Sequence, residues 1–557
     1  NMSNWYPITP QDVWHFRRSI DYSIMANRAV IDLASKYRET FLYRIYEMGR
    51  DEIKFGSEDH WTFTPHKSAR VEMAACGTST VPTVAAQPGT QPAGGGRGAG
   101  GAGGGGRGGG GGRGGGACPQ LYAALTTKEL RDPRGFIMPS DQPDFGSAIR
   151  FVNALIKSGI TIQRATASFT VNGKTYPANS LVVKTAQAFR PHVMDMFEPQ
   201  DHPDDIPYPG APPTPPYDSA GWTLAYQMGV QFDRILDEFS GPFEKLTDFA
   251  KAPAGSIKTA QGAPAGYYFT HQANDSFIVV NRLLAANEDV SWLWNGPFGY
   301  GTFYVAAKPT TLPILQKAAT DLGVSFQATA TAPAGPASKL RKLRIGLVDN
   351  YGGAMPVGWT RLIFKNFEFP FVEDSYNDVF APDINAGNLH EKYDVLVFNG
   401  VGLGAGGGGR GGGGGGGRGA AEPPAAGAAG GAAAGAANAA GAGRGGAAGA
   451  AGQGAGGGRG GRGGDTGAPA QGDDRARPFQ PIPEMYAKRQ GAINAQGVGA
   501  IQQFVQDGGT IICIGQAAGQ AITQFKLPLV PQTDLPRTEF YVPGSVLRVS
   551  VDTKNPL

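Results

Sequence analysis

Residues 344–349 read RIGLVD and residues 394–399 read DVLVFN. Each is a short apolar run with no polar residue at alternate positions, the pattern of a strand buried on both faces, as parallel sheets require. A helix is expected from Gly358 to Asn366, followed by the segment FPFVE (369–373), a helix at GVGAIQQFVQ (497–506) and another strand, TIICIG (510–515). Strands alternating with helices in this way predict a doubly wound, flavodoxin-like parallel sheet.

Upstream, the middle of the chain alternates strands and helices in shorter pieces. DFGSAIRFVNALIKS (144–158) has helical spacing and is stopped by Gly159, and ITIQRA follows as a strand. SFTV and KTYP flank Asn172-Gly173, a turn that favours positive φ at both positions, and LVVKTA is a further strand. The arrangement recurs as YYFT, a helix capped by Asn274, VSWLW, TFYVAA, a helix through TLPILQKAATDLG, and VSFQA, which predicts two small α/β units.

At the other end, Thr9-Pro10-Gln11-Asp12 is a helix start. Ile20, Ile24, Met25, Val30, Ile31 and Leu33 continue at helical spacing to Tyr37, and a second run, Phe41, Leu42, Ile45 and Met48, is expected to stop at Gly49. The fold class is therefore α/β: N-terminal helices (1–75), a linker (76–143), an accessory α/β region (144–335) and the parallel-sheet domain (336–557).

Two stretches stand outside this scheme. Residues 93–117 are almost entirely Gly with scattered Arg and Ala, and 402–473, within an insertion placed at 402–480, are mostly Gly and Ala. Neither carries the apolar side chains that offset the entropy of ordering, so both are expected to be disordered. Their GGRG repeats lack interleaved Phe or Tyr on which bases could stack, which favours a flexible linker over RNA binding.

Of the 557 residues, 49 are Lys or Arg and 46 Asp or Glu, a net charge of +3 that creates no strong field for nucleic acid or an anionic membrane. No nucleic-acid partner and no membrane span is expected, because no apolar run reaches 18 residues. Three cysteines far apart argue against a disulfide or cysteine-rich zinc framework. The oligomeric state is not legible.

The stretch FRPHVMDMFEPQDHPDD (189–205) combines His192 and His202 with Asp195, Glu198, Asp201, Asp204 and Asp205, residue types that bind metals. Its prolines forbid one continuous helix, and a structured loop or a substrate-channel wall is the expectation. The histidines at 15, 60, 66, 192, 202, 271 and 390 all fail both HxxE and HExxH; His192 has Asp195 three residues on, and His390 has Asp394 where a second histidine would stand. No metal ligand and no catalytic residue is assigned. TIICIGQAAG resembles the strand-to-turn element that carries the nucleophile of class I glutamine amidotransferases, but Ala517 is expected at the nucleophile position and Cys513 inside the strand.

Several long blocks, in order, carry a wider resemblance. NWYPITPQDVWHFRRSIDYSIMANRAVIDLASKYRETFLYRIYEMGR, then TYPANSLVVKTAQAFRPHVMDMFEPQ, YPGAPPTPPYDSAGWTLAYQMGV and NGPFGYGTFYV, then RIGLVDNYGGAMPVGWTRLIFKNFEFPF, NLHEKYDVLVFNG, DGGTIICIG and RTEFYVPGSVLRVSV resemble the region after the catalytic core of large bacterial zinc carboxypeptidases, of the carboxypeptidase A-like metallopeptidase family. The resemblance implies a C-terminal amidotransferase-like domain, a peptide or protein substrate, and a periplasmic or secreted location. It also implies a zinc held by an HxxE pair and a distant His, with a catalytic Glu, all upstream of the segment matching residue 1. This chain is then expected to be a fragment and a non-catalytic portion with no cofactor of its own. The alternative is a peptide- or glycan-binding scaffold.

Overall fold

The computed structural model describes residues 16–76, 120–200, 206–208, 210–214, 223–370, 378–404, 484–487, 489–529, 535–536, 538–542 and 550. The helix start at Thr9–Asp12, the acids and His202 of 201–205, residues 371–373 of FPFVE and nearly all of both Gly-rich insertions lie outside them. The second insertion was expected from 402, yet the described chain runs on to Gly404, and Leu403 is fully buried in the core.

Two helices open the described chain, α1 (Phe16–Lys36) and α2 (Arg38–Ser57), separated at Tyr37. Gly49 does not end the second. A side chain there would meet Ala188 at 3.3 Å, so its glycine lets the helix pass close to the next unit. At Gly56 the approach is tighter: a Cβ would lie 2.3 Å from the Thr185 carbonyl oxygen.

The first small unit runs β1 (Gly135–Met138), α3 (Phe145–Lys157), β2 (Gln163–Ala165), β3 (Leu181–Lys184), α4 (Arg190–Phe197), α5 (Leu224–Gln227) and β4 (Asp233–Ile235). Its sheet order is β4-β1-β3-β2, extended by Phe243–Lys245, and every pairing is antiparallel. β1 begins nine residues before the boundary expected at 144, in what reads as linker. Alternation explains how the thin sheet is filled. Phe136, Met138, Leu181 and Val183 join the helix-side core, while Ile137 and Val182 face the hairpin Phe169–Val171/Lys174–Tyr176. The hairpin turn takes positive φ at Asn172 and Gly173, as its sequence predicts.

The second unit runs β5 (Gly266–Phe269), α6 (Asp275–Ala285), β6 (Val290–Leu293), β7 (Thr302–Ala306), α7 (Thr311–Leu322) and β8 (Phe326–Thr329). Its order, β6-β7-β5-β8, is again antiparallel and repeats the first unit strand for strand. Both units are split β-α-β-β-α-β folds of the ferredoxin-like type. The sequences repeat as well: Gly135-Phe-Ile-Met138 matches Gly266-Tyr-Tyr-Phe269, Val152-Asn153 matches Val280-Asn281, and Gly229-Val-Gln-Phe232 matches Gly323-Val-Ser-Phe326. Arg190-Pro191-His192-Val193 likewise matches Leu312-Pro313-Ile314-Leu315. The single helix α7 is therefore represented in the first unit by two short helices, α4 and α5, with a long insertion between them. Thr223 closes the splice, its N–H donating to the Asp195 carbonyl (3.1 Å) and its hydroxyl to that of Glu198 (3.2 Å).

Small polar latches join the units. Arg150 donates to Asp275 (3.1 Å), and the Asn274 amide donates to the Ser147 hydroxyl (3.1 Å). Asn274, expected to cap its own helix, makes no such cap: its backbone is already helical (φ −55°, ψ −37°) rather than extended. Ala337–Lys339, beyond the boundary expected at 336, still belongs to the second unit's sheet.

The last domain is a parallel sheet of β9 (Ile345–Val348), β10 (Asp378–Val379), β11 (Val395–Asn399) and β12 (Thr510–Ile514), ordered β10-β9-β11-β12. That is the flavodoxin-type order 2-1-3-4. β9 is buried at every position and β11 at all but the last, so helices cover both faces. α8 spans Met355–Asn366, three residues earlier than its expected start at Gly358, because Pro356 occupies the first turn, where a missing N–H costs nothing. α9 (Ala495–Gln506), capped by the Asn494 side chain, leads to β12, and α10 (Gln516–Gln524) follows it. Asn281 and Arg282 of α6 bind this domain through the Phe367 carbonyl (2.8 Å) and both oxygens of Glu368 (2.9 and 2.7 Å).

Candidate functional site

The described part of the His- and Asp-bearing stretch, residues 189–200, leads into the splice just described. His192 and Asp195 share the single turn expected of them, on α4. Among the described residues no group of three His, Cys, Asp or Glu side chains converges to hold a metal. The residue that matters there is Arg190, which the search for metal ligands passed over. Its guanidinium is buried and bonds Asp132 and Glu52 (3.2 Å), tying α2 to the first unit. Asp132 also accepts from Thr62 N–H (3.1 Å) and hydroxyl (2.7 Å) and pairs with His60 Nδ1 (2.9 Å). Burial pushes the Asp132 carboxyl up, but the hydrogen bonds from His60 and Thr62 and the Arg190 charge outweigh it and hold the group below the usual carboxylate range.

The amidotransferase-like elbow differs from its expected form by two positions. The residue between β12 and α10 with strained backbone is Gly515 (φ 64°, ψ −127°), while Ala517 is already inside the helix and fully buried. The position that would display a nucleophile therefore carries no side chain at all. Cys513 sits two residues earlier, within the strand, and burial pushes its thiol up to about 11, far from a reactive thiolate.

Open α/β sheets bind ligands beyond the carboxyl ends of their strands. Between β9 and β11 that edge is closed: Asn399 donates to Thr360 (3.0 Å), and Gly400 (φ 77°) lies against Pro356, where a Cβ would come within 2.8 Å. The opening is on the other side, over β9 and β10, as a crevice of about 510 Å³. Asp349 ends β9, and its Oδ1 accepts from the N–H groups of Asn350 (2.8 Å) and Ala354 (3.1 Å), shaping the loop DNYGGA. Arg361, one helix turn and more into α8, bridges Asp349 (3.2 Å) and Asp378 (2.8 Å). Gly352 and Gly353 take positive φ (93° and 77°), with open space where side chains would stand.

Three rings complete the lining. Tyr351 (44% exposed) and Tyr486 (39%) stand at the mouth, and Phe380 is buried. The Arg489 guanidinium lies 5.3 Å from the Phe380 ring centre and 5.7 Å from that of Tyr486. Among the described lining residues two carboxylates stand against two guanidinium groups, which balances their charge. The sequence signal was an acid directly after a buried strand, followed by Gly-Gly and a helix start; it names a loop at a strand's end but not the partners that 378–380 and 486–489 bring to it.

No family model, curated protein or solved structure matches the chain.

Proposed function

We propose that this chain is the non-hydrolytic accessory part of a zinc metallocarboxypeptidase acting in proteolysis outside the cytoplasm. Its appended units bound the route by which a peptide chain reaches a catalytic centre formed by residues this sequence does not contain. The observation that carries this reading is the surface of α1 and α2. α1 has no buried residue along its 21 positions, and Ile24, Val30, Ile31 and Leu33 are 44–68% exposed, with Leu42, Ile45 and Met48 following on α2. So much contiguous apolar surface requires a covering body, and the sequence resemblance supplies one, the core of the peptidase domain. Gly515 and the raised Cys513 thiol support the non-hydrolytic part of the reading. Zinc belongs to that upstream core in this reading.

The test is a comparison of this chain with the same chain extended into its upstream coding sequence. The extended protein should bind one zinc and release C-terminal amino acids from a peptide, and Ile24→Glu with Ile31→Glu should lower its stability and activity. An extended protein without zinc or peptidase activity contradicts the reading. The crevice over β9 and β10 favours a second function, ligand binding by the parallel-sheet domain itself.

A further inference from the structure

We propose that the crevice over β9 and β10 binds a neutral saccharide of one or two pyranose units, an inference independent of the peptidase reading. The charge balance comes first. Among the described lining residues Asp349 and Asp378 bring two negative charges, and Arg361, which bridges them, and Arg489, against the rings, bring two positive ones, so neither a strongly anionic nor a cationic ligand finds a net field from them. The shape comes second: about 510 Å³ falls within the range of small-molecule pockets.

The chemistry of the lining then selects among neutral ligands. The C–H faces of a pyranose ring carry slight positive charge and stack on the negative faces of aromatic rings, which Tyr351 and Tyr486 present at the mouth. Its hydroxyls both donate and accept, and they need partners of both kinds held rigidly. The carboxylate–guanidinium chain Asp349–Arg361–Asp378 offers oxygens and N–H groups in one fixed array, and Asn350 adds an amide that does both. Gly352 and Gly353 leave the loop open, so a ring can approach the backbone without meeting a side chain. Among the described residues, the lining offers carboxylates, guanidinium groups, an amide and aromatic rings, and no His, Cys, Ser or Lys.

The experiment is titration of the full chain, by calorimetry and saturation-transfer NMR, with glucose, galactose, N-acetylglucosamine and their β-1,4-linked dimers. Adenosine and a neutral tetrapeptide serve as competing chemistries. At least one saccharide should bind, with Tyr351→Ala and Asp378→Asn each weakening it about tenfold or more and Tyr351→Phe retaining most of the affinity. Circular dichroism and thermal unfolding of each variant separate lost binding from lost fold, and Asn350→Ala, on an open loop, provides a second site variant that leaves the Arg361 bridge intact. No saccharide binding at millimolar concentration, saccharide binding indifferent to Tyr351→Ala and Asn350→Ala, or preferential binding of adenosine or the peptide would each overturn the proposal.

Discussion

The two ferredoxin-like units have one topology and recognisably related sequences, yet they are held in place by different means. In the first, the helix that follows β3 is split, and its opening residue, Arg190, reaches through a buried ionic cluster to Asp132 and Glu52. In the second, the equivalent residue is Leu312, 37% exposed on an unbroken helix. The first unit also buries the outer face of its sheet under the 169–176 hairpin, whereas the second leaves that face to Tyr268 and Tyr304 and little else. One topology thus gives two kinds of part, a first unit that is anchored and elaborated and a plainer second that is latched to its neighbours through Asp275 and Arg282.

Breaking the anchor should have the largest effect. Arg190→Ala strands Asp132 in a buried site and is expected to cost about 3–5 kcal/mol in urea unfolding, whereas Leu312→Ala, at the matching position, should stay within about 0.5 kcal/mol. Equal costs would mean that the ionic cluster adds nothing.

The matched asparagines sharpen the contrast. The Asn153 amide donates to the Ala250 carbonyl (3.0 Å) and accepts from the Ala250 N–H (2.8 Å), while Asn281 has one such bond, to Phe367. Asn153→Ala should therefore cost about 2 kcal/mol and Asn281→Ala about 1 kcal/mol, since each lost partner leaves a backbone group unsatisfied.

Acid should separate the units as well. Asp132 has a folded pKa below its unfolded value of about 3.9, so its contribution is complete above that pH and is lost as pH falls through the folded pKa. In the second unit Asp289, held at about 2 by hydrogen bonds from Lys339 and Lys308, follows the same sign but is half-exposed. Raising salt to about 1 M should erase the Asp289 part of the acid dependence and leave the Asp132 part, which Asp132→Asn removes.

The parallel sheet was legible because its two central strands, β9 and β11, are buried and read as unbroken apolar runs, although β12, equally apolar in sequence, is half-exposed at the sheet edge; the two small units were legible through alternation and the Asn172-Gly173 turn. What escaped was what sequence periodicity does not encode. β1 is only four residues long and follows a Gly-rich tract, and the edge strands 233–235, 243–245 and 337–339 are too short and polar to show a period. Gly49 read as a helix stop because a close helix approach and a C-terminal glycine look alike in one dimension. Of the crevice, only the DNYGG loop carries a local signal, an acid after a buried strand followed by Gly-Gly, and it was not read as a site; Asp378, Phe380, Tyr486 and Arg489 reach it through folding across long separations. Arg190 was hidden by more conspicuous histidines beside it.

If the two units share one design, the first is complete without its insertion. Phe197 stacks on Phe136 at 4.2 Å and Ala225 is fully buried, so both must be kept, and the Glu198–Thr223 contact shows where the ends meet. Replacing residues 199–222 by a Gly-Ser-Gly bridge and following thermal unfolding by circular dichroism tests it directly. The account predicts a cooperative transition displaced by less than about 4 °C, equivalent to about 1 kcal/mol. Loss of the cooperative transition would show that the insertion is part of the fold, and that the two units are not copies of one design.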